Sequence, residues 1–145
     1  MTASDEKTLN TSRQERFLKA VELLNSAHSY TRLGGVHTLV ALADEYLADQ
    51  ALQAEERHTE GQRIVDILCA YIRSPFPAGS ASSRAELAQY YMRLLGGAPE
   101  GLSRTQREQF QAEKSALTVE ALVRGCILEA IHDRFVQESD YGTPP

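Results

Sequence analysis

Two cysteines in 145 residues, Cys69 and Cys126, are too few to staple a fold, so a disulfide framework is excluded as the source of stability. Long apolar runs are missing too. No stretch approaches the roughly 18 apolar residues that a membrane-crossing helix requires. The segment Met1 to Asn10 has neither a basic start nor an apolar core, which argues against a secretory signal. Period-two alternation bounded by turn residues is absent, and with it the signature of a half-buried strand. Nor does the chain contain HExxH, CxxC, GxSxG, a P-loop or GxGxxG, so no metal, cofactor or catalytic set is expected. Sparse cysteine within apolar patterns fits a reducing, cytoplasmic setting.

What remains is an ordinary globular composition, 42% hydrophobic and 24% charged, in a chain of single-domain length. At that length a core can form without disulfide or metal support. The net charge is −5, from 20 acidic against 15 basic residues. An acidic domain repels phosphate backbones unless its cations gather on one face, so nucleic acid is a disfavoured partner.

Every strong pattern has helical spacing. The first helix is expected to open at Ser12 with Glu15 as a capping box, bury Phe17, Val21 and Leu24, and end at Asn25 and Ser26. The second runs from about Ser29 to Asp49 along Leu33, Val36, Val40, Ala43 and Leu47, flanked by Leu39, Leu42 and Tyr46. It is apolar nearly all round and is expected to be the most buried. Gly34 and Gly35 near its start mark either a close helix contact or a kink. Residues 49–60 are acidic, a helix extension or a solvated connection. A third helix carries Ile64, Val65, Ile67, Leu68, Tyr71 and Ile72 and ends at Pro75 and Pro77. A fourth, capped by Ser83 and Glu86, buries Leu87, Tyr91, Leu94 and Leu95 and stops at Gly96 and Gly97. Ser103 and Gln106 cap a long polar-then-amphipathic segment through Phe135. Thr118 is placed to cap a separate helix, so one helix and two both fit. The expected architecture is all-α, a five- to six-helix bundle over residues 12–137, with flexible tails at 1–11 and 138–145. Paired helices with short links also suit an armadillo- or HEAT-like arrangement.

The reactive side chains are dispersed. His37 lies in the second helix, as a satisfied core histidine or one facing a groove. His132 and Asp133 are neighbours on a helix and are expected at the surface, on different sides. Cys69 and Cys126 are expected to be buried as small hydrophobes. Asp44, Glu45, Asp49, Glu55 and Glu56 lack the EF-hand pattern and are expected to form a solvated acidic face. Arg16, Arg32, Arg63, Arg73 and Arg124 interrupt apolar stripes, where arginine bridges helices through carboxylates or binds an anionic partner. Tyr30, Tyr71, Tyr90 and Tyr91 suit packing or interface anchoring.

Three segments, residues 16–24 (RFLKAVELL), 31–39 (TRLGGVHTL) and 60–77 (EGQRIVDILCAYIRSPFP), resemble the helical region of pentapeptide-repeat-containing proteins from corynebacteria and related actinobacteria. The likeness covers roughly residues 13–77, with an echo over 119–135. In that family the region follows membrane helices and precedes a repeat solenoid, and this chain has neither. The resemblance therefore implies a helical module, stand-alone or phage-related, and assigns no catalytic residue.

The sequence thus leads to a non-enzymatic protein–protein interaction module, self-association included, with Arg32, His37, Arg73, Tyr90, Tyr91 and Arg124 as interface candidates. Three other readings stay open. One is a nucleic-acid-binding regulator with Arg32, Arg73 and Arg124 on one face. Another is a small-molecule-binding bundle with an apolar pocket near Gly34 and His37. The last is an enzyme joining His37 to a carboxylate or Cys69 in a cleft.

Overall fold

The first helix starts where its backbone is first satisfied. Thr2 accepts a hydrogen bond from the Asp5 amide on its hydroxyl oxygen, and its own amide donates to the Asp5 carboxylate. Asp5 and Glu6 in the first turn also oppose the positive end of the helix dipole. Helix α1 therefore spans Ala3–Leu24. It does not wait for Ser12, and residues 3–11, expected as a tail, are helical. The capping motif was missed because aspartate, one methylene shorter, stands where the usual box has Glu or Gln.

The computed structural model describes residues 2–74, 89, 92, 93 and 95–141. Among these residues there are four helices and no strand: α1, α2 (Ser29–Ala48), α3 (Ala54–Arg73) and α4 (Arg104–Tyr141). The helix expected from Ser83 falls largely outside the described residues, as do its cap, Pro75 and Pro77. The acidic stretch after Asp49 divides into a short connection and the first turns of α3.

The chain forms two compact units, residues 1–73 with 123–145, and residues 74–122, where the sequence suggested one domain over 12–137. The first unit holds a core of Ala20 and Leu24 from α1, Val36, Leu39, Leu42, Ala43 and Tyr46 from α2, Ile64 and Leu68 from α3, and Val123 and Ile127 from α4. Helix α2 contributes most, as its composition predicted. Its buried stripe is rotated, however. Leu39, Leu42 and Tyr46 are buried, whereas Leu33 and Val40 are half-buried and Leu47 is 50% exposed. The turn comes from Gly35. A Cβ there would sit 2.8 Å from the Ala20 carbonyl oxygen and 3.0 Å from the Leu24 nitrogen. The α1 backbone lies directly against this glycine, which fixes the face α2 presents to it. Gly34 has open space around its Cα, so the pair marks one close contact and no kink.

In the second unit, Gly97 and Gly101 adopt φ of 88° and 82°, the left-handed region that glycine occupies without steric cost. The Ser103–Gln106 capping box forms as read: each residue's side chain accepts from the other's amide. Phe110 is buried, and so is Glu120. Thr118 caps nothing. Its hydroxyl donates to the Lys114 carbonyl one turn back, which leaves the helical ladder intact, and α4 is one continuous helix through Tyr141.

Candidate functional site

The ionic chemistry of the first unit concentrates on the seam between α1 and α2. Arg13, only 5% exposed, donates from Nε to Glu45 at 3.1 Å and from Nη1 to Asp49 at 2.7 Å. Arg16 grips the same Glu45 bidentately, at 2.7 and 2.8 Å. Charge-assisted bonds of this kind hold both partners ionised. The Arg16 bond, aided by Arg13, outweighs burial and lowers the Glu45 carboxyl to about 2. Asp49 is lowered by Arg13 and by the Ala51 amide. Burial works against the Arg13 charge, but its two carboxylates outweigh this and hold it more firmly charged than usual. The guanidinium also lies 5.0 Å from the centre of the Tyr46 ring. Burial pushes the Tyr46 phenol up.

These contacts correct the expected solvated acidic face. Glu45 and Asp49 are structural partners, and Asp44 bonds the Arg134 guanidinium at 2.6 and 2.9 Å. Glu55 and Glu56 remain exposed. Arg13 escaped the sequence reading because it precedes the first apolar residue of the stripe. The signal was its place one turn before Phe17 on the same face.

The interface candidates do not converge. Arg32 is half-buried and donates to the Ser26 carbonyl and the Ser29 hydroxyl, closing the α1–α2 turn. Arg124 donates to the Ile72 carbonyl at 2.8 Å near the end of α3 and lies 5.5 Å from the Tyr71 ring centre. Arg73 and His37 are exposed, so His37 is no core histidine. Tyr90 and Tyr91 fall outside the described residues. Cys69 and Cys126 are free and half-buried, less enclosed than expected. His132 is exposed as expected, yet its Nδ1 comes within 3.7 Å of Asp133. Among the described residues no group of histidine, cysteine and carboxylate could hold a metal ion. No described helix is long and apolar enough to cross a membrane.

Two of the concavities in the first unit bear on function. The larger, about 860 Å³, lies between the N-terminal half of α1 and the start of α3. Charged side chains such as Glu6, Lys7, Glu55 and Glu56 line it, and Arg13, already paired, lies within it. The second, about 300 Å³, is a groove between α2, α3 and α4. Its walls are aliphatic: Val40, Ala43, Ile64, Val65, Leu68 and Ile131. Its polar groups are Arg57, His58, Gln62 and Arg134. Gly61 keeps the mouth open, because its missing side chain leaves Leu47 as the nearest neighbour, 4.0 Å from where a Cβ would stand. Neither concavity is lined by Gly34 or His37, where the sequence reading had placed an apolar pocket.

No family model, curated protein or solved structure matches the chain. The site is therefore read from its own geometry.

Proposed function

We propose that this chain is a non-enzymatic interaction module that holds a small ligand with an aliphatic body in the groove between α2, α3 and α4. The observation that carries this reading is the combination of an aliphatic wall with a few polar groups in an interhelical space of about 300 Å³. Such a space lies at the lower end of ligand pockets, about 300–1,000 Å³, which share that lining and occur between the helices of bundles. The larger cleft mixes charged side chains with apolar ones in similar share, whereas the groove is mostly aliphatic. Calorimetric titration with octanol, a neutral aliphatic probe, tests the reading. Saturable binding at one site is expected, lost in Gly61→Leu, whose new side chain fills the mouth. Absence of saturable binding, or binding indifferent to Gly61→Leu, contradicts it.

A second reading, contact with another protein or a second copy, draws on Leu18, Tyr30, Leu122 and Leu128, which are 51–73% exposed. Light scattering across a concentration series tests self-association, and a constant monomer mass would remove it. The nucleic-acid reading loses its support, because Arg32 and Arg124 are committed to backbone carbonyls. For the arrangement as a whole we retain the armadillo- or HEAT-like pairing as a proposal resting on the short links of α1, α2 and α3. The likeness to actinobacterial pentapeptide-repeat proteins stands beside it as a proposal of origin.

A further inference from the structure

The groove has two chemically different ends. Arg124 bonds the Ile72 carbonyl, which fixes the start of this part of α4 beside the C-terminal end of α3. Arg134 lies about 15 Å further along α4. It meets Asp44 on α2, one turn before Leu47, and Leu47 faces Gly61 near the N-terminal end of α3. Helix α4 therefore runs antiparallel to α3 here. Arg57, His58, Gln62 and Arg134 gather at one end of the groove, while Val40, Ile64 and Leu68 form the other. From Arg57 to Leu68 the α3 wall is about 16 Å long.

Among the described residues the polar end carries two arginines and no carboxylate, in a chain with 20 acidic and 15 basic residues. The two arginines there differ in commitment. Arg134 is satisfied by Asp44 and by the Ala130 carbonyl. Arg57 reaches the Asp49 backbone carbonyl only at 3.5 Å, the long limit of a hydrogen bond. It can turn its fork to a new acceptor at little cost. A guanidinium beside an aliphatic trough matches a molecule with an anionic head and a hydrocarbon tail. The planar fork fits a carboxylate in particular.

We infer that the groove takes an aliphatic chain ending in a carboxylate, with the chain along Val40, Ile64, Leu68 and Ile131 and the head beside Arg57. This rests on the groove being the binding site, and the test separates the two statements. The chain is titrated with octanoate, octanol and octyltrimethylammonium, each below its aggregation concentration, and the same series is run on Arg57→Glu and Gly61→Leu. Octanoate is expected to bind about tenfold tighter than octanol, with the cation weakest, as a charge-assisted hydrogen bond at a partly shielded site implies. Arg57→Glu should remove that preference, so that octanoate no longer binds more tightly than octanol. Should Arg57→Glu not fold, Arg57→Gln carries the same expectation. Equal binding of octanoate and octanol, indifferent to Arg57, overturns the carboxylate assignment and leaves the groove reading in place. No saturable binding by any of the three, or binding unaltered in Gly61→Leu, overturns both.

Discussion

Helix α2 has two working faces, and they are built on opposite principles. Against α1 it is sealed. Gly35 lets the backbones touch, and Arg13, Arg16, Glu45 and Asp49 fasten the seam where the helices continue past it. Toward α3 and α4 it is open. Val40 and Ala43 form part of a groove, Leu47 is half in solvent, and the charged contact at the rim, Asp44 with Arg134, is partly exposed. A helix fixed rigidly on one side can leave space on the other without the space collapsing. The sealed face therefore belongs to stability, and the open face is the one proposed to bind.

Removing Arg13 should break the sealed side most severely. Its side chain is 6% exposed and joins two carboxylates, so Arg13→Ala leaves Asp49 with the Ala51 amide and Glu45 with Arg16. A loss of about 3 kcal/mol in chemical denaturation is expected, in the range for breaking a buried charge pair. Gly35→Ala comes next, at about 2 kcal/mol, because a methyl group 2.8 Å from the Ala20 carbonyl oxygen forces the helices apart. A Gly35→Ala melting temperature equal to that of the native chain would show that the backbones are not in contact.

Acid sharpens the same contrast. The Glu45 carboxyl is lowered from its ordinary 4.5 to about 2 in the folded chain, so the unfolded chain takes up the proton first as pH falls. The stabilisation from Glu45 is complete above its unfolded value. It declines below that value and is gone once pH has passed through about 2. The lowered Asp49 carboxyl adds loss in the same direction. Glu45→Gln should flatten this acid limb of the stability profile, read as melting temperature against pH. On the open side, Asp44→Ala should cost less than about 1 kcal/mol, since both partners are substantially exposed. Gly34→Ala, with nothing near its added methyl, should stabilise the helix by about 0.5 kcal/mol.

The sequence made the helices legible because apolar spacing and caps are local. Ser103 with Gln106 and Gly97 sit where their chemistry placed them, and α2 begins at Ser29 as its spacing suggested. The buried face of α2 was not legible. A helix apolar nearly all round gives no phase, and only the Gly35 contact with α1 sets it. For the same reason His37 stayed open between the core and a groove, and it lies exposed. The bridging role of arginine was anticipated, but Arg13 was overlooked. Its carboxylates, Glu45 and Asp49, are distant in sequence, and no spacing rule pairs residues across two helices. The groove needed three separate helices to meet, and its residues, Arg57, Gly61 and Val65 among them, form no motif.

The two-faced reading of α2 is tested most directly by a map of backbone amide shifts in the labelled protein during titration with octanol. The account predicts shifts that saturate together at Val40, Leu47, Gly61, Val65 and Ile131, with Ala20, Leu24 and Gly35 unmoved. Shifts along the α1–α2 seam, or none along the groove, would contradict it.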